Sequence, residues 1–257
     1  MKNEMLIPAI AWIVLTTVCL AFIIFGLKAA LKRTGCWERN QGRKILTRTI
    51  LLLAVWTALL LVLSYNGFFS QFETLPPRPA LVLLIPLPIV LVIAFSKKGT
   101  QLLQSLPTQW LVWMQSFRIA VELLLLMAFL KNLLPVQMTF EGFNFDILSG
   151  ILALPVGYLL SRKKSYAPQL AVAYNVTGML LLVNILVIAV LSMPTPFRYF
   201  QNEPANTLVA QFPFILLPGI LVPIAYSMHI FSLRQILTRK KMHNPAKEKA
   251  DLRAIPV

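Results

Sequence analysis

Seven long apolar runs divide this chain, and they constrain its fold more than any other feature. Each run approaches the roughly 20 apolar residues that an α-helix needs to cross a hydrocarbon core about 30 Å thick. The strict alternation of barrel strands is missing from them. They predict an all-α integral membrane protein, a bundle of about seven transmembrane helices within residues 1–233. The runs cover about 5–27, 46–66, 79–96, 109–133, 144–161, 169–193 and 208–233.

The composition supports a membrane environment. Hydrophobic residues make up 58% of the chain and charged residues only 13%, whereas a soluble domain carries about a quarter charged residues. We expect the first run to be a retained helix, because its basic residues follow it, whereas those of a cleaved signal peptide precede the apolar stretch.

The cations indicate an orientation. Of the 24 Lys and Arg residues, 19 fall in the loops after the first, third and fifth runs and in the tail 234–257, four fall in the opposite loops, and Arg118 lies within a run. Excess Lys and Arg marks cytoplasmic loops. The N-terminus is therefore predicted outside and the basic tail in the cytoplasm, with the chain in a cytoplasmic (inner) membrane. The expected partner of this charge is the anionic headgroup layer; no folded basic module suggests nucleic acid.

The fourth run carries the clearest candidate site. Gln115, Arg118 and Glu122 are spaced so that they share one helix face. Ionisable groups at membrane depth are functional candidates by default, and Glu122 would be the proton- or cation-binding group of a solute site. The alternative is an internally neutralised pair, because Arg118 and Glu122 are four residues apart.

Three further polar residues join the candidate intramembrane site. Asn144 and Asp146 begin the fifth run, where Asp146 could extend a polar pathway toward Glu122 or could simply favour the helix N-terminus. His229, in the seventh run, is a packing residue or a member of the site. Ser149 and His229 are expected at opposite depths, which argues against a nucleophile and its base.

No cofactor or metal is expected. Cys19 and Cys36 have no zinc spacing. A haem held by two histidines is excluded within one chain because His243, the only other histidine beside His229, lies in the tail.

The seventh run is interrupted by Pro213, Pro218 and Pro223. Broken membrane helices are tolerated where they face protein or a wet cavity, so this run is the best candidate for lining one. The alternative is that proline is simply more common in membrane helices.

Three functions remain open at this point. The first is a non-enzymatic protein that transports or senses a small solute through the polar site. The second is a structural or regulatory subunit that packs against another membrane protein, with the charges as internal glue. The third is an intramembrane enzyme acting on lipid.

Overall fold

The computed structural model describes residues 3–35, 37–74 and 76–242, and every regular element in these ranges is helical. The tail residues 243–257, with His243, and Cys36 lie outside the described residues. Ten α-helices follow one another: α1 Asn3–Thr34, α2 Arg39–Tyr65, α3 Arg78–Leu84, α4 Pro86–Phe95, α5 Lys97–Ser105, α6 Thr108–Trp113, α7 Phe117–Leu130, α8 Ile147–Ser161, α9 Ala167–Leu191 and α10 Val222–Met242.

Six stretches of the described chain are long and apolar enough to cross a membrane, one fewer than the sequence predicts. The missing one is α8, an apolar helix of 15 residues. At 1.5 Å per residue it is roughly 22 Å long, shorter than the hydrocarbon core. The six are Met5–Thr34, Arg39–Tyr65, Arg78–Phe95, Thr108–Leu130, Ala167–Leu191 and Leu217–Arg239.

The two ends of the bundle differ. At one end, here called the loop end, the segments 131–146 and 192–216 meet, because Gln137 Nε2 donates to Ser192 Oγ. At the other end, here called the basic end, α5 meets α10, where Gln104 Nε2 donates to the backbone oxygen of Gln235. Most of the Lys and Arg residues in the described part of the chain lie near this second end.

Part of the segment 131–146 is buried inside the bundle. Leu134, Gln137, Met138 and Asn144 are all at most 2% exposed. The segment lies beside the loop-end part of α7, where the short α8 leaves space. The first turn of α8 therefore begins inside the bundle, where Gly150 contacts the Ile119 backbone.

The last span begins with a π-helical turn, Leu217–Leu221. In an α-helix the Gly219 carbonyl would accept from the N–H of residue 223, which is Pro223 and has none. Trp56 Nε1 on α2 donates to that carbonyl at 3.0 Å. A side chain from another helix thus repairs the break that proline makes.

Helix α10 is the centre of the bundle. It packs against α4, α5, α6 and α9, while α8 packs against α6, α7 and α9. Helix α1 lies against α5 and α7, and α2 lies at the edge, in contact with α1. The buried polar residues accordingly collect between α7, α8, α9 and α10.

Candidate functional site

Arg118 is the hub of a buried polar network. Its side chain is 2% exposed. Nε donates to Asp146 Oδ2 at 2.7 Å and Nη2 donates to Asp146 Oδ1, so the guanidinium and the carboxylate form a two-pronged ion pair. Nη1 donates to Ser149 Oγ at 2.9 Å and to His229 Nε2 at 2.8 Å. The donors of Arg118 are thus largely occupied by this chain's own residues.

The pairing of Arg118 with Glu122 that the spacing suggested is wrong. Asp146 comes from a different segment and meets the guanidinium head-on, whereas Glu122 lies one turn along the same helix. Glu122 instead accepts from Asn144 Nδ2, at 2.8 Å to Oε1 and 2.7 Å to Oε2. Asn144 Oδ1 in turn accepts from the Asp146 backbone N–H at 3.0 Å, so Asn144 joins the two carboxylates.

His229 continues the network toward the basic end. A guanidinium can only donate, so Nε2 of His229 must accept from Arg118. The ring proton then sits on Nδ1 and is donated to Asn175 Oδ1 at 3.0 Å. Asn175 Nδ2 donates to Ser232 Oγ at 2.9 Å. Hydrogen bonds therefore run in one direction from Arg118 to α10, through a neutral histidine.

The expected separation in depth between Ser149 and His229 is also wrong, since both contact the same nitrogen of Arg118. Two features shift them together. Helix α10 runs on to Met242, so His229 lies midway along its span, and α8 begins deep inside the bundle. They still do not form a nucleophile and base, because both ring nitrogens of His229 are already engaged by other partners.

Gly178 on α9 makes this meeting possible. A Cβ added there would fall inside van der Waals distance of His229 Cε1 and Ser149 Oγ. Only a residue without a side chain lets α9 close over the network. Tyr174, one turn earlier, donates its hydroxyl to the Ser149 carbonyl at 2.9 Å.

The last predicted residue, Gln115, lies one turn before Arg118. It is fully buried, and its Nε2 donates to the Ala225 carbonyl at 3.0 Å, while Oε1 has no partner among the described residues. It belongs to the contact between α10 and the 3₁₀ turn Met114–Ser116, which precedes α7, beside the network. All six predicted residues thus lie in one region of the bundle.

A cavity of about 60 Å³ lies between this network and the loop end. Its ionisable wall groups are Arg118, Glu122 and Asp146, and its other lining side chains are apolar. Met138, Met193 and Val209, from the segments 131–146 and 192–216 of the loop end, also line it. The interrupted start of the last span forms one wall, through Leu217, Pro218, Leu221, Val222 and Ala225.

Among the charged side chains that line the cavity, Glu122 hydrogen-bonds to the fewest atoms of the protein. In the part of the chain that the structure describes, its carboxylate accepts only from the Asn144 amide. The residue is 1% exposed and lines the cavity. Two carboxylate oxygens offer about four acceptor sites, so capacity remains for a ligand or a proton.

The comparisons with known proteins give one result. Residues 76–237 match a family described as "Domain of unknown function (DUF8737)". The chain belongs to this family. No curated protein and no solved structure matches the chain.

The family region covers α3 to α9 and nearly all of α10, and so contains the cavity and the whole network. Helices α1 and α2 lie outside it. In the described ranges, no group of three or more His, Cys, Asp and Glu side chains is arranged to hold a metal ion.

Two members of the network, Asn175 and Ser232, were not among the predicted site residues, and neither carries a motif. A signal was present in the spacing of α10, where His229, Ser232 and Gln235 recur every three residues and are all fully buried. Read as one stripe, they indicate a polar face directed at the interior.

Proposed function

We propose that this protein crosses a cytoplasmic membrane seven times, with its N-terminus outside and its tail inside. The buried segment 131–146 and α8 together would make the crossing that α8 alone is too short to make. The excess of Lys and Arg at the basic end supports the direction. The loop end would then face the exterior and the cavity would lie in the outer half of the bundle.

Within that frame, we propose that the protein transports or senses a small solute, bound in the cavity at Glu122. The observation that carries this proposal is a buried carboxylate with a single amide partner, at the wall of a cavity whose other charged groups, Arg118 and Asp146, pair with each other. An ionised group at membrane depth costs several kcal/mol. A bound cation or proton offsets that cost, so its binding at Glu122 is favourable.

The alternative, a structural or regulatory subunit, is supported by other residues. Arg118 and Asp146 satisfy each other and hold α7 against α8 and α10, so they explain packing without any ligand. Glu122 adds no ion pair to that arrangement. The geometry therefore divides the site into a structural pair and a carboxylate left for binding.

The test compares two carboxylates of the same chain. Purified protein is reconstituted into liposomes and exposed to amines, amino acids, carboxylates, sugars and inorganic cations, with uptake measured on the vesicle contents and binding measured by thermal shift. Glu122→Gln keeps the shape and removes the charge; Glu141→Gln does the same at an exposed position.

We expect at least one solute to enter or stabilise the wild type and Glu141→Gln but not Glu122→Gln. If Glu122→Gln folds normally and no solute in the panel distinguishes it from the wild type, the proposal is wrong and the structural alternative stands.

A further inference from the structure

We infer that the cavity binds a small organic monocation, a primary alkylammonium of about four to six heavy atoms, with its charged end at Glu122, in exchange for a proton. This inference rests on the proposed function and names the class of solute. Four observations lead to it: the charge of the wall, the shortage of oxygen ligands, the apolar lining and the volume.

The first observation is the charge balance around the cavity. Arg118 and Asp146 cancel each other in their ion pair. Glu122 is the remaining charged side chain of the lining. An anionic solute would add an uncompensated charge to the site, whereas one monovalent cation that replaces the Glu122 proton leaves the site neutral.

The second observation excludes hard inorganic cations. Calcium takes six to eight oxygen ligands and magnesium an octahedron of them. Apart from Glu122 and the already paired Asp146, the lining side chains carry no oxygen. An ammonium group needs fewer partners, because it carries only three N–H donors.

The third observation is the nature of the walls. Val121, Leu125, Leu182, Ile185 and Leu221 are among the apolar side chains that surround the space beside Glu122. Such a wall stabilises an alkyl body, and each methylene buried there should strengthen binding about fourfold. A solute with one charged end and an apolar remainder matches both parts of the cavity.

The fourth observation is size. A group the size of a water molecule occupies about 10–15 Å³ of cavity volume. A cavity of about 60 Å³ therefore holds roughly four to six heavy atoms. Butylammonium, with five, falls within this range. Longer or quaternary amines would need the walls to move.

The exchange with a proton follows from the surroundings of Glu122. The ionisable groups near it are Arg118 on the same helix, Asp146 before α8, Tyr174 on α9 and His229 on α10, and the network already uses the three that could donate a hydrogen bond. The empty cavity then leaves Glu122 protonated. When an alkylammonium binds, the Glu122 O–H bond breaks, the proton leaves to solvent, and the net charge of the site is unchanged.

The experiment measures two quantities on purified full-length protein in detergent: the thermal shift and the proton released into weakly buffered solution. The probes are butylammonium chloride, its neutral analogue 1-butanol, and sodium chloride. We expect butylammonium alone to raise the unfolding temperature and to release about one proton per molecule bound. Glu122→Gln should lose both signals, and the exposed control Glu141→Gln should retain both.

A second variant tests the volume without touching the carboxylate. Leu186 lines the cavity, and Leu186→Ala should move the preferred amine from butylammonium to pentyl- or hexylammonium, at least a fivefold change in relative affinity. This readout does not depend on Glu122→Gln folding.

The inference is overturned if 1-butanol or sodium produces the same shift as butylammonium, or if Leu186→Ala leaves the length preference unchanged. If another class of solute requires Glu122 instead, the proposed function stands and this inference fails. If no solute requires Glu122, both fail.

Discussion

Helices α2 and α10 are both long and apolar enough to cross a membrane, yet they occupy opposite environments. Only 6% of the apolar window of α2 is buried, against 67% in the span Leu217–Arg239. Helix α2 turns Leu51 and Leu52 outward, while α10 buries His229 and Ser232 completely. The side chains that avoid water lie outside, and those that need partners lie inside.

The same order holds across the bundle. The two spans of lowest hydropathy, Thr108–Leu130 and Leu217–Arg239, are also the two most buried. Lipid solvates apolar side chains as well as a protein core does, so helices associate through close packing and hydrogen bonds instead. In this protein, the helix at the edge is one whose apolar window is almost entirely exposed, and the most buried span holds buried polar side chains.

The largest effect is expected when the buried cation Arg118 is removed. Arg118→Met leaves Asp146 buried and unpaired, and we expect a loss of about 3–5 kcal/mol in the free energy of unfolding, measured by denaturant titration in micelles. The double variant Arg118→Met/Asp146→Leu should recover most of it. Arg48→Met, at an exposed position on α2, is the control and should change little. A double variant no better than the single one would contradict the account of the pair.

Adjacent leucines on α2 test whether that helix is held by one side only. Leu60 is 1% exposed and Leu59 is 45% exposed. Leu60→Ala should cost about 2–4 kcal/mol, because it leaves a cavity against the bundle near Gly219. Leu59→Ala exchanges contact with lipid only and should cost far less. Equal losses at both positions would show that α2 does not dock as described.

Two glycines, one buried against the network and one in open space, test the packing with a single added methyl group. Gly178→Ala forces α9 away from His229 and Ser149, and overpacking of this kind costs about 1–3 kcal/mol. Gly26→Ala on α1 meets nothing within 4 Å and should be neutral. If thermal unfolding gives the same result for both, the close approach over the network is not real.

The smallest effects are expected where α2 meets the loop end. Trp56→Phe leaves the Gly219 carbonyl without its donor, and Ser64→Ala does the same for Ala210, whose carbonyl accepts from Ser64 Oγ at 2.8 Å. Each should cost about 1 kcal/mol. The two sites are roughly 12 Å apart along the helix, so their effects should add; a double variant that departs clearly from the sum would indicate that α2 moves as a unit.

The sequence predicted the all-helical membrane character and six of the polar residues that the structure brings together. Those predictions succeed because they need only composition and helical spacing. The sequence could not predict that Asp146 pairs with Arg118. Helical spacing reveals neighbours on one helix only, whereas Asp146 lies in the segment that precedes α8.

The second wrong prediction was the position of His229 along its span, and one stretch of the chain explains it. The apolar stretch 208–216 was counted as the start of the last span, but it forms a 3₁₀ turn, Leu208–Ala210, and further irregular chain before the π turn. An apolar loop buried in a bundle has the composition of a helix. Hydropathy therefore placed His229 near one end of its span when it lies in the middle.

The hydrogen bond from Trp56 to Gly219 connects α2, at the edge of the bundle, to the interior. Gly219 follows Pro218, which lines the cavity, so a single indole N–H ties α2, a helix at the edge of the bundle, to the wall of that cavity. Turning α2 about its own axis would withdraw that indole and leave a bare carbonyl on the π-helical turn that precedes α10. Helix α2 and the cavity wall are thereby linked by a route that bypasses Arg118.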